Sequence, residues 1–282
     1  MKKSISFIYE RANIIANIIL AISMLASLNL ILIGRIDWPA CLLGFFTLLT
    51  FIIELRLMDE YKDYEKDKIA NKTRPLPRGL ISLPDCLKLI YLFLGALWFY
   101  SILAFYFFGS TSAIWLAIVN IWLYLMFKEF FVKNNLSNYP LVYAITHQII
   151  IVPVVFFIVS MIDPNLVFSS KSFGFSLLLL GSFFTYEVGR KLNPDSDKVL
   201  KTYLYMYGPY KTMLILAVLL LIPLSGSYLL GAFYWEIYPV LLIYAHIPLI
   251  KIKPDYYKKT EGLIGLFLIY NMIFLTIKFY LG

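Results

Sequence analysis

Residues Trp38 to Asp67 read WPACLLGFFTLLTFIIELRLMDEYKDYEKD. An apolar block over 39–58 runs straight into a cluster in which acids and bases alternate. About 20 consecutive apolar residues match the hydrocarbon thickness of a bilayer, and such a block is too long for a strand. The stretch therefore reads as a membrane-spanning helix that delivers a charged segment to one surface.

The same pattern repeats on either side. Apolar blocks bounded by charges, Pro or Gly fall near 12–34, 39–58, 86–108, 112–132, 139–162, 172–189, 203–225, 227–249 and 260–281. Composition agrees: of 282 residues 61% are apolar and 15% charged, with mean hydropathy +0.77. Soluble domains average about 45–50% apolar and about 25% charged, so an ordinary soluble globule is excluded, and so is disorder, which needs the opposite bias. Cys41 and Cys86 both sit at or inside apolar blocks and suggest neither a disulfide framework nor a zinc site. The two histidines are far apart. The expectation is an all-α integral membrane protein, one polytopic domain of nine transmembrane helices over residues 1–282. The first block follows Lys2 and Lys3, as a signal peptide would, but its apolar run is too long and lacks an obvious small-residue cleavage site, so it reads as a retained helix.

Charge orients the spans. With a cytoplasmic N-terminus, basic residues should gather before the first span and after the even-numbered ones. Of the 25 Lys and Arg, only Arg35, Lys171 and Lys278 fall on the other side. The +8 net charge is thereby accounted for by topology and contact with anionic lipid, with no nucleic-acid partner implied. A multi-pass plasma-membrane protein is expected, with the two longest polar connections, 59–85 and 190–202, facing the cytoplasm. No soluble domain, low-complexity segment or clear repeat is present, and no protein partner is expected.

At 3.6 residues per turn, Arg56, Glu60, Asp63 and Asp67 share one helical stripe with Asp59 at its edge. Two readings fit that stripe. One is a solvated helix end, since Lys62, Lys66 and Lys68 alternate with the acids. The other is an array of hard oxygen ligands for Mg²⁺, which takes one or two carboxylates and completes its shell with phosphate oxygens and water. The next stretch, Asn71-Lys-Thr-Arg-Pro-Leu-Pro-Arg-Gly79, is a stiff basic loop. Its Arg74 and Arg78 suit phosphate. Carboxylates followed by arginines at one membrane face describe a Mg²⁺–diphosphate site.

Here the sequence resembles the UbiA-type intramembrane prenyltransferase superfamily. That group carries Asn-Asp-x-x-Asp-x-x-x-Asp at the end of its second helix, then Arg-Pro-x-x-x-Gly. The corresponding residues are Asp59-Glu60-x-x-Asp63-x-x-x-Asp67 and Arg74-Pro75-Leu76-Pro77-Arg78-Gly79. Asp59 and Glu60 are substitutions that keep an oxygen ligand. The superfamily's second acidic motif, commonly Asp-x-x-x-Asp, ends its sixth helix. This chain has Tyr186-Glu-Val-Gly-Arg-Lys-Leu-Asn-Pro-Asp-Ser-Asp197 there, with Glu187 at the first acid and Lys191 at the second. A Glu187–Lys191 helical ion pair is the plain alternative.

The resemblance implies a UbiA-like fold around a central cavity, and transfer of an isoprenyl group from its diphosphate to an aromatic or other lipophilic acceptor in the membrane. It implies Mg²⁺ held by Asp59, Glu60, Asp63, Asp67, Glu187 and Asp195, with Asp197 as an alternative to Asp195. It further implies diphosphate contacts from Arg74, Arg78, Lys128, Arg190 and Lys191, and a catalytic set of Asp63, Asp67 and Lys191. A terpene cyclase of the same superfamily is the near alternative; a non-catalytic transporter or lipid-binding protein is the distant one. Other polar residues within the blocks have open roles. Lys128 and Glu129 read as an anchoring pair or as substrate contacts, and His147 as a helix–helix hydrogen-bonding group or a base. Asn120, Glu236 and Asn271 read as helix–helix hydrogen bonds or interfacial groups.

Overall fold

The structure, a computed structural model, describes residues 2–132, 138–247 and 255–281. Lys133, Lys251 and Lys253, three of the basic residues used for orientation, lie outside the described residues, as does the end of the 227–249 block beyond residue 247. Among the described residues every regular element is helical. A short helix α1 (Lys2–Arg11) precedes α2 (Ile14–Ile33), α3 (Trp38–Ala70), α4 (Leu83–Phe108) and α5 (Ser110–Phe127). Then follow α6 (Pro140–Gln148), α7 (Ile151–Ile162), α8 (Ser170–Gly189), α9 (Tyr203–Leu219), α10 (Leu221–Leu229), α11 (Phe233–His246) and α12 (Asp255–Leu281).

Seven segments among the described residues are long and apolar enough to cross a membrane: α2, α3, α4, α5, α6 with α7, α9 with α10, and α12. The remaining two expected spans correspond to α8 and α11. Helix α8 has 20 residues but is rich in Gly, Ser and Thr, and α11 is 14 residues long. Two expected boundaries move. The fourth block was drawn to 132, yet α5 stops at Phe127, ahead of Lys128 and Glu129. The seventh was closed at 225, yet the helical path runs on to Leu229 and turns at Gly231 in the left-handed region. Helix α9 is kinked at Gly208, whose φ of 74° precedes Pro209. Proline bars the α conformation from the residue before it, and glycine alone takes this backbone without strain.

Local chemistry sets the helix ends. Asp37 caps α3 by accepting from the Ala40 amide at 3.0 Å, Ser82 caps α4 and Ser169 caps α8. Two of the three basic residues on the minority side also serve helix ends. Lys171 donates to the Ile31 carbonyl and Lys278 to the Gly231 carbonyl, each at 2.7 Å.

Helix α8 is the hub, packing against α6, α7, α9, α10 and α12. Small residues allow this. A Cβ on Gly181 would lie 2.2 Å from Pro223 Cδ, and one on Gly226 would lie 2.4 Å from the Leu178 amide nitrogen. Hydrogen bonds reinforce the bundle where the sequence suggested them. Asn271 donates to Ser182 Oγ at 2.8 Å and to Glu236 Oε1 at 3.0 Å, and Asn120 donates to Ser101 Oγ at 3.1 Å. Large apolar side chains such as Ile102, Phe105 and Phe107 point outward, as a lipid-facing surface requires.

With 33 residues α3 is about 50 Å long at 1.5 Å per residue, well beyond what the bilayer core needs. Its last turns therefore carry the acidic segment out of the apolar zone. The 3₁₀ turn Lys198–Leu200, following α8, packs against α3 and brings the two charged segments to the same end of the bundle.

Candidate active site

The acids at the end of α3 divide between two faces. Glu60 and Asp67 are buried, 1% and 2% exposed, and both meet arginine. Arg11 of α1 forms an ion pair with Glu60 at 2.5 Å. Arg74 donates to Asp67 Oδ2 at 2.6 Å and lies 3.8 Å from Glu60, while Asn71 donates to the other Asp67 oxygen at 2.8 Å. Desolvated carboxylates are tolerable only with such partners. Asp59 and Asp63, one turn apart, are half-exposed and have looser contacts, with Lys62 at 3.7 Å and Lys66 at 3.4 Å respectively.

Glu187, in the last turn of α8, is held by Arg190 at 2.6 Å and by Lys191. Cations at a helix C-terminus are favoured by the exposed carbonyl dipoles. Burial works to lower the Arg190 pKa, but Glu187 and then Asp59 outweigh it and raise the guanidinium above its ordinary value. Arg190 thus lies within electrostatic reach of Asp59 on α3. The following loop carries two further carboxylates. Asp195 is exposed, with its amide turned to Asn193 Oδ1, and Asp197 is exposed and caps the Val199 amide.

Between these segments lies α6. Lys62 Nζ donates to Tyr143 Oη at 3.3 Å, and Tyr143 is within electrostatic reach of Asp59, Glu129, Asp63 and Glu187. The Tyr143 and His147 rings stack at 3.9 Å. His147 Nδ1 is 2.8 Å from the Tyr143 carbonyl. A carbonyl only accepts, so Nδ1 is the donor in this contact. On the other side of Lys62 a cavity of about 360 Å³ is bounded by Tyr61, Glu65, Phe127, Lys128 and Glu129. Lys128 lies 5.0 Å over the Phe127 ring. Glu129, Phe130 and Phe131 then turn with φ of 48°, 52° and 59°, a left-handed path that non-glycine residues adopt only under constraint.

The structure sets Arg190 within electrostatic reach of Asp59 and Tyr143 within reach of Asp59, Asp63 and Glu187, while Lys191 pairs with Glu187 and Lys128 lines the cavity beside Lys62. It sets Glu60, Asp67 and Arg74 apart in a network with Arg11, and Arg78 against Glu10 of α1 at 2.7 and 2.8 Å. Asp195 stands exposed in the loop that follows α8. Three neighbours went unassigned in the sequence. Arg11 was counted only for topology, Tyr143 lies one turn before His147 as a readable signal, and Lys62 was taken for a solvated alternate. Glu54 was also missed; it is wholly buried among apolar neighbours in α3, and an acid inside an apolar block is itself a signal.

Among the described residues no three His, Cys, Asp or Glu side chains form a ready-made metal cage. The donor chemistry nevertheless fits Mg²⁺ arriving with a phosphate ligand. Asp59 and Asp63 supply two half-exposed carboxylates on one face, and Mg²⁺ completes its octahedron from phosphate and water.

A polytopic helical bundle that gathers carboxylates and cationic side chains at one end defines a class: an integral membrane protein with one charged end. The chain belongs to the UbiA prenyltransferase family, which it matches over residues 20–272. Its fold is similar to a solved digeranylgeranylglyceryl phosphate synthase, with a TM-score of 0.69 and 18% identity over 100% of both chains. No curated protein matches the sequence.

Proposed function

We propose that this protein transfers an isoprenyl group from an isoprenyl diphosphate to a lipophilic acceptor, with Mg²⁺ as cofactor. The observation that carries this reading is that half-exposed Asp59 and Asp63 on α3 share one end of an apolar bundle with Glu187, Arg190 and Lys191 at the end of α8, with Arg190 within electrostatic reach of Asp59. Asp59 and Asp63 would hold one Mg²⁺ and Glu187 a second, and Mg²⁺ when bound neutralises the departing diphosphate. Arg190 and Lys191 are the basic clamp on the same leaving group, and Arg74 presents its loop from the other side.

With the diphosphate so held, the bond from oxygen to the allylic carbon breaks and the electron pair leaves with the diphosphate. The acceptor's lone pair or π-electrons then form the new bond to that carbon, and the acceptor's proton is released. The aromatic lining and the surrounding lipid exclude water, which would otherwise capture the allylic carbon. The excess of Lys and Arg on the side carrying both charged segments supports a cytoplasmic active site and N-terminus in a plasma-membrane protein.

The test is pyrophosphate release by purified protein in detergent, with isoprenyl diphosphates of increasing length and a panel of lipophilic acceptors, with and without Mg²⁺. The expected result is Mg²⁺-dependent release coupled to a prenylated acceptor. A cyclised product formed without acceptor would replace transfer by cyclisation, and ion flux without any release would remove both.

A further inference from the structure

Helix α1 lies before the stretch that matches the family, yet it touches the diphosphate-loop region at two points. Phe7, wholly buried, anchors α1, and Ala12 beyond its end is 1% exposed. Arg11 reaches the buried Glu60 at 2.5 Å, and Arg78 Nη2 donates to both Glu10 carboxylate oxygens at 2.7 and 2.8 Å. Arg74 stands between Glu60 and Asp67. The segment from Asn71 to Gly79 is therefore tied at both ends. Arg74 is held through the acids of α3, and Arg78 directly by α1.

We propose that α1 is a clamp that positions the diphosphate loop, with Arg11 as its principal positioning residue. The charge count shows why Arg11 is needed. Glu60 and Asp67 present two buried negative charges to Arg74, which makes the closer contact with Asp67, at 2.6 against 3.8 Å. Without Arg11, Arg74 would be drawn toward the unpaired Glu60. With Arg11 present, each buried acid has its own guanidinium and Arg74 keeps the rotamer that the bidentate geometry of its group makes useful for phosphate. The Glu10–Arg78 pair fixes the far end of the same loop. Because Arg11 touches neither substrate nor reacting atoms, its effect is on geometry, where displacements of about 1 Å cost up to about a hundredfold.

This inference rests on the prenyl-transfer reading for its catalytic consequence but not for its structural one, and the experiment separates the two. Full-length protein in detergent is compared as wild type, Arg11→Ala, Arg11→Lys and Glu10→Gln, by hydrogen exchange and by steady-state kinetics. Arg11→Ala should speed exchange over 71–80 while leaving 186–197 as in wild type. It should also raise KM for the donor diphosphate by about tenfold or more, with acceptor KM unchanged. Arg11→Lys should recover most of both losses. Glu10→Gln removes a half-exposed pair, so it should fold normally and loosen only the 76–80 end. Equal exchange at 71–80 in wild type and all variants would overturn the clamp, as would loosening of 71–80 and 186–197 alike. If no donor turns over in wild type but Arg11→Ala still loosens 71–80, the clamp stands and the transferase reading falls.

Discussion

The two charged segments solve the same problem in opposite ways. At the end of α3, the four acids of the motif are sorted by the cations they meet. Glu60 and Asp67 turn inward to arginines supplied by α1 and the following loop, while Asp59 and Asp63 face the open side. At the end of α8 a single acid, Glu187, draws its cations from the next turn of its own chain, Arg190 and Lys191. The first segment is tied to distant parts of the fold and the second is assembled locally. The difference teaches that an acid's place in a motif does not fix its work. Burial and the nearest cation do.

The sharpest way to break this contrast is to remove an outward acid. Asp63→Ala should lower kcat for pyrophosphate release about a hundredfold or more with folding intact, the range for losing one electrostatic contact to a developing charge. A variant keeping a tenth of wild-type activity would end the division into faces. Next comes the inward network. Arg74→Ala leaves Asp67 buried with only Asn71, and thermal unfolding in detergent should show a loss of about 3 kcal/mol. An unchanged melting temperature would mean that the network is solvated. In the second segment, Glu187→Gln should cost about tenfold in activity with little change in melting, because its partners are local and partly exposed. The smallest effect belongs to the loop. Asp195→Ala and Asp197→Ala should each stay within about twofold of wild type, as exposed positions do, and a larger loss from either would make the α8 segment a two-acid site after all.

Much of this was legible in the sequence. Block length carried the helical membrane fold, because the bilayer imposes one length on every span. Helix α8 is less apolar than the seven segments long and apolar enough to cross a membrane, since a helix packed against several neighbours can use Ser, Thr and Gly where a lipid-facing one cannot. In the candidate site, spacing found the acids but not their division. Glu60 and Asp63 lie within one stripe by helical phase, and only the arrival of Arg11 from a separate helix decides which of them is buried. Nothing local to Arg11 announces that partner 49 residues away. Likewise the Arg190 link to Asp59 depends on how α8 and α3 are brought together, which no sequence periodicity records.

The close approach of α8 and α10 has a practical meaning for anyone wishing to watch this protein work. A reporter group attached at Gly181 or Gly226 would have to push Pro223 or the Leu178 backbone aside, so the seam is closed to labels. At Gly95 of α4 and Gly262 of α12, by contrast, an added side chain meets nothing within 4 Å. Probes placed at those two positions would report distances across the bundle during turnover, using the sealed α8–α10 seam as the fixed frame of reference.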